Sequence, residues 1–150
     1  MGEKTVASNR RARHEYFILE TLEAGISLHG SEIKSVRAGQ ISLAEAFVRI
    51  DGKEAWLEDA HIAPYEQASI FNHEPRRPRK LLLHSSEIRK LWNTVRQKGV
   101  TIIPLSVYLK NGKAKVEIAI AKGKKLYDKR AELARRDTQR EIDRHLQNRR

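Results

Sequence analysis

The chain has 150 residues, 39% hydrophobic and 33% charged, enough apolar material for one small domain but too little for its whole length to share a core. Lysine and arginine number 30 against 19 aspartate and glutamate, and the formal charge of +11 points to a polyanionic partner, nucleic acid before an acidic membrane surface. The lack of cysteine excludes disulfides, thiolate metal sites and cysteine nucleophiles. With no apolar run for a signal peptide in the first 13 residues, and none near the roughly 18 a membrane helix needs, a soluble cytoplasmic protein is expected.

The first dozen residues are polar and predict a short flexible lead-in. Glu15 to Glu20 and Ile26 to Leu28, rich in β-branched and aromatic residues, predict an opening strand interrupted near Gly25. Ser31 can cap a short helix carrying Ile33 and Val36, with Glu32 in its first turn and Gly39 just past its end. Ser42 to Ile50 and Ala55 to Glu58 flank Asp51-Gly52, a dipeptide that favours a type I′ hairpin turn. Ala60 to Lys80 contains Pro64, Pro75, Pro78 and a basic cluster without clear periodicity, which predicts a functional loop. After the apolar run Leu81 to Leu83, a helix capped by Ser85 or Ser86 carries Ile88, Leu91, Trp92 and Val95 at i, i+3, i+4 and i+7, and Gly99 stops it. Thr101 to Lys110 and Lys113 to Ala121 flank Asn111-Gly112, a second hairpin signal, and Pro104 makes its first strand an edge or a bulged strand. The sum, about six strands with two or three short helices, is mainly β and suits an OB-type antiparallel barrel over residues 1 to 121.

Charge is polarised along the chain. Residues 1 to 121 hold 19 basic and 14 acidic side chains, net +5, whereas 122 to 150 hold 11 and 5, net +6. Leu133, Ile142 and Leu146 are too few to anchor a second core, yet Ala131 to Arg136 are good helix formers and Asp137 with Arg140 and Glu141 with Arg144 are opposite charges at i,i+3. The reading is a basic tail, disordered when free and helical when a partner supplies contacts.

Six scattered histidines (His14, His29, His61, His73, His84 and His145) show no metal-ligand spacing, and no carboxylates form an acid/base or two-metal set. Neither phosphate-cradling glycine motif is present, so no catalysis, metal or cofactor is expected. Four basic stretches are the stronger signal: Asn9, Arg10, Arg11, Arg13 and His14; Arg76, Arg77, Arg79 and Lys80; Lys110 to Lys115; and Lys122, Lys124 and Lys125. Each alone could be a solvated face, but several uncompensated clusters on one small domain repel one another unless a polyanion binds. Trp56, Trp92, Phe17 and Phe47 fall in strand or helix patterns that predict core packing. Tyr127, among charges, suits base stacking, against the plainer role of covering the barrel end.

The blocks Asn9 to Tyr16, Gly30 to Gly39, His61 to Glu66, Arg76 to His84 and Gly123 to Arg130 stand in one order, and together they resemble the signatures of the small protein B family, the bacterial SsrA-binding proteins. The resemblance covers residues 9 to 130; beyond, the tail is similar only in being basic and helix-prone. It implies an OB-type barrel that binds the tRNA-like domain of transfer-messenger RNA and brings it, alanylated and carried by elongation factor Tu with GTP, to ribosomes stalled on messages without a stop codon. The barrel would fill the space of a missing anticodon stem, and the tail, helical on the ribosome, would enter the empty messenger channel. By position, Glu32, Lys34 and Arg37, with Asn9, Arg10, Arg11, Arg13, His14, Arg76, Arg77, Arg79 and Lys80, would form the RNA face. Lys122, Lys124, Lys125, Tyr127, Asp128, Lys129, Arg130, Arg135 and Arg136 would serve the decoding centre and messenger channel, with Tyr127 standing where many relatives have histidine. A monomer is expected. A general RNA chaperone or ribosome-associated protein is the alternative for a charge-driven barrel.

Overall fold

The computed structural model describes residues 3–65, 72–97 and 99–124. Its elements in chain order are β1 (Glu3–Ser8), α1 (Ala12–Glu15), β2 (Tyr16–Ile26), α2 (Gly30–Arg37), β3 (Ile41–Ser42), β4 (Phe47–Ile50), β5 (Ala55–Glu58), β6 (His61–Ile62), β7 (Arg79–Leu82), α3 (Ser85–Val95), β8 (Val100–Lys110) and β9 (Lys113–Gly123). Seven strands make one antiparallel sheet in the order β1-β8-β9-β2-β7-β5-β4, and β3 with β6 makes a small second sheet. The large sheet curls until β4, at one edge, lies against β8, next to the other edge. This mainly β, barrel-like closure is the architecture expected, with more strands than the six anticipated.

Alternation builds the interior. Val116, Ile118 and Ile120 of β9 face inward with Val48, Ile50, Leu57 and Leu81, while α3 adds Ile88 and Leu91. A second, smaller cluster lies on the other face of the long hairpin, where Ala12 of α1 covers Ile103, Leu105, Ala119 and Ala121. Because α1 sits there, β8 and β9 are buried on both faces near this end, which explains their nearly continuous apolar run.

The long hairpin is formed as its turn dictates: Lys110 pairs with Lys113, and Asn111 (φ 53°) and Gly112 (φ 78°) take the two left-handed positions of a type I′ turn. Pro104 sits at a register shift in β8, so of the two expected outcomes the strand is bulged and not an edge.

Several expectations give way. The polar lead-in is instead strand β1, held along β8 from Glu3 opposite Lys110 to Ser8 opposite Ser106. Strand β2 runs unbroken through Gly25; its irregularity lies between Ile18 and Glu20. Gly25 pairs with both Leu82 and Lys115, and a Cβ there would stand 3.1 Å from the Leu82 Cβ, so close strand approach explains the glycine. The first hairpin has a four-residue loop, 51–54, in which Asp51 Oδ1 accepts from the Glu54 N–H at 2.9 Å, because Asp51 does not take the positive φ a type I′ turn requires. Phe17 and Phe47, expected in the core, are 38% and 40% exposed. Helices α2 and α3 are capped by histidine and not serine: the N–H groups of His29 and His84 donate to Glu32 and Glu87, three residues on.

Candidate nucleic-acid interface

The site is built around Glu32. Its position in the first turn of α2 lets Oε1 accept from the His29 N–H at 2.8 Å and from Arg77 Nη2 at 2.5 Å, while Oε2 accepts from Arg79 Nε at 2.6 Å. Glu32 and Arg79 are fully buried. Arg79 spends its remaining donors on backbone carbonyls, Ala60 at 2.6 Å and Pro75 at 3.0 Å, and so fastens the 72–79 loop to the barrel. Burial opposes the Glu32 charge, yet the bonds from Arg77, the His29 N–H and Arg79 outweigh it and hold the carboxyl below its usual range. Burial lowers the Arg79 guanidinium as well, with Glu32 pulling the other way. A second tie runs beside the first: Ser31 Oγ lies 2.8 Å from His73 Nδ1, and His73 Nε2 lies 2.9 Å from the Ile62 carbonyl oxygen.

Two of the expected RNA-facing residues are therefore closed to a partner. Glu32 and Arg79 lie at 0% exposure, because a paired buried charge cannot be released to solvent without leaving its mate unpaired. They position Arg77, which is half-buried, and the loop that carries the exposed Arg76. Lys34 and Arg37 are exposed on α2; Lys34 Nζ stands 5.5 Å from the Tyr65 ring centre and Arg37 Nη2 reaches the Gly112 carbonyl at 3.5 Å. Lys80 is exposed on β7, 4.0 Å from Glu54.

Arg10, Arg11, Arg13 and His14 form a second exposed group around α1, anchored by Asn9, whose N–H donates to the Leu105 carbonyl at 2.7 Å and whose side chain donates to the Pro104 carbonyl at 3.0 Å. The Pro104 bulge thus has a second use as a dock for this arm. Lys124 joins the group: Nζ donates to the Arg13 carbonyl at 2.8 Å and lies 5.2 Å from the Phe17 ring centre. Lys122, exposed and opposite Phe17 in the ladder, is on the same end of β9. Arg76 reaches Glu45 at 3.3 Å, and Glu45 shares a cleft with Asn9, Arg10 and Arg11, so the loop and the arm meet across the 43–45 segment. Lys125, Tyr127, Asp128, Lys129, Arg130, Arg135 and Arg136 lie outside the described residues.

Sequence reasoning flagged the lysines of the long hairpin but gave them no site. They border a trough over the β2–β7 junction, two depressions that share Gly25, Leu82 (55% exposed) and Lys115, with Lys53 and Lys80 beside Glu23, Glu54 and Glu87 in one and Lys113 in the other. At its side the Tyr108 hydroxyl donates to Glu23, which that bond and nearby Lys110 hold below the ordinary carboxylate range. No local pattern announces the trough, because Lys53, Lys80 and Lys115 come from three elements distant in sequence.

Comparison with known proteins places these features in a family. The model of the family described as SmpB protein matches residues 6–148. A protein of Desulforudis audaxviator (strain MP104C) named SsrA-binding protein is 62% identical over 142 residues, covering 95% of this chain and 93% of the relative. One of the same name from Roseiflexus sp. (strain RS-1) is 60% identical over 148 residues, covering 98% and 94%. A solved structure described as "tmRNA-SmpB: a journey to the center of the bacterial ribosome" matches with 52% identity and a TM-score of 0.66, covering 77% of this chain and 82% of that one.

Proposed function

The chain belongs to the SmpB family, and from that membership we propose that it is a non-catalytic adaptor that binds transfer-messenger RNA and takes it to stalled ribosomes for trans-translation. The observation that carries the reading is the 62% identity, over nearly the full length of both chains, to a protein named for binding SsrA RNA. The geometry supports it. Lys34, Arg37, Arg76 and Lys80 are exposed on the barrel and Arg10, Arg11 and Arg13 on the α1 arm; such cations hold RNA phosphates by releasing counterions. Selectivity has to come from shape, since phosphate contacts read no sequence.

In this proposal the barrel takes the tRNA-like domain and stands where an anticodon stem would be. Lys122, Lys124 and the residues that follow, Tyr127 above all, serve the decoding centre, and the basic tail occupies the messenger channel only when no message fills it. The alanylated RNA brings elongation factor Tu with GTP, and the protein acts as a cytoplasmic monomer.

The test is competitive binding of the tRNA-like domain against an ordinary tRNA of similar length across a salt series. A preference of at least roughly tenfold, about 1.4 kcal/mol, that persists as salt rises is expected of a shape-reading adaptor. Equal affinities that collapse together would identify a general RNA chaperone instead.

A further inference from the structure

A pocket of about 310 Å3 opens between α1, the start of β4 and β8, inside the basic arm. Its wall holds two aromatic residues, Tyr16 and Phe47, beside Arg11, Glu15 and Glu45. Phe47 is 40% exposed at the head of a strand whose Val48 and Ile50 are buried, so its ring contributes little to the core and faces the pocket side. The volume falls at the bottom of the range of about 300 to 1,000 Å3 in which proteins hold organic ligands, room for one flat ring and its sugar and not for a peptide or a folded strand.

The charges narrow the ligand further. Glu45 gives Oε2 to Arg76 at 3.3 Å and keeps Oε1, and that oxygen together with the Glu15 carboxylate favours a neutral part of an RNA that offers N–H donors over a phosphate. The exocyclic amines of adenine, guanine and cytosine do that, while Arg11 in the pocket and the exposed Arg10 and Arg13 flanking it suit the phosphates on either side of a turned-out base. We propose that this pocket takes a single unstacked, amine-bearing nucleobase of the bound RNA, its face on Phe47 and its edge on Glu15 or Glu45. The proposal rests on the RNA-binding reading above and adds to it a site that reads a base where the cations read only backbone.

The base comes either from transfer-messenger RNA or from small-subunit ribosomal RNA, and one experiment separates the two. Binding of the tRNA-like domain and of isolated small ribosomal subunits is measured for the full chain, Phe47→Ala and Phe47→Tyr across a salt series. Phe47→Ala is expected to weaken one of the two at least roughly fivefold, with the slope of log affinity against log salt unchanged because no cation is lost, and Phe47→Tyr is expected to restore it. The RNA that responds is the source of the base. Wild-type affinity of Phe47→Ala for both RNAs, a changed salt slope, or failure of Phe47→Tyr to rescue would each overturn the pocket while leaving the adaptor standing. Failure of the unaltered chain to bind either RNA would overturn both.

Discussion

At the scale of single residues, the Glu32 carboxylate orders the site. It carries hydrogen bonds from Arg77, Arg79 and the His29 N–H, and its removal leaves Arg79 buried without its counter-charge. Breaking one side of a buried pair costs about 3 to 5 kcal/mol, so Glu32→Gln, which keeps the shape and loses the charge, is expected to lower the unfolding free energy by that order in a urea titration. The pH dependence has a definite sign. The folded carboxyl lies below its ordinary 4.5, so its contribution is complete above about pH 4.5 and is lost as pH falls through the lower folded value. Stability of the native chain is expected to decline below pH 4.5, and more steeply than that of Glu32→Gln. Little of this was legible beforehand: the Gly-Ser-Glu block marked Glu32 as belonging to the RNA face, but burial depends on Arg79, a partner 47 residues away. Arg79 reads in sequence as one of five consecutive loop residues; only the structure separates it from Arg76.

At the scale of elements, much is legible locally but not all: Asp51-Gly52 suggests a two-residue turn where the loop has four residues, and serines suggest the caps that His29 and His84 supply. Asn111-Gly112 declares its hairpin because both residues tolerate positive φ, and α3 declares itself through the spacing of Ile88, Leu91, Trp92 and Val95. The larger departures come where distant pairing decides. Strand β1 has no apolar alternation of its own and exists because β8, about a hundred residues later, offers an unpaired edge. Gly25 looked like an interruption because nothing nearby shows that two strands converge on it. The joint between β2 and β7 is short: Gly25 pairs with Leu82 and Ile26 with Leu81, and the Ser27 N–H donates to the Lys80 carbonyl at 2.9 Å. Gly25→Ala would put a methyl 3.1 Å from the Leu82 Cβ, an atom fixed to the β7 backbone, so a loss of about 1 to 3 kcal/mol is expected by thermal unfolding. A stability equal to that of the unaltered chain would show that β7 is free to shift, and the junction would then not be the rigid floor of the trough.

At the scale of the whole molecule, folding gathers cations that the sequence scatters. The arm at 9–14, the loop at 76–80 and the start of the tail at 122–124 are joined by Lys124 on the Arg13 carbonyl and by Arg76 on Glu45. The remaining charge, net +6 over residues 122–150, follows the last strand in the sequence, and in the proposal it serves an RNA contact separate from that of the barrel. The two roles are separable in the proposal, and one reconstituted assay reads both. Translation of a message lacking a stop codon is run with alanylated transfer-messenger RNA, elongation factor Tu and GTP, and the peptide tag is measured with no added protein, with the full chain, and with a chain ending at residue 130. The full chain is expected to produce the tag; the shortened chain should bind the tRNA-like domain with unaltered affinity and yield little or none. Tagging of equal extent with and without the full chain would contradict the adaptor role outright.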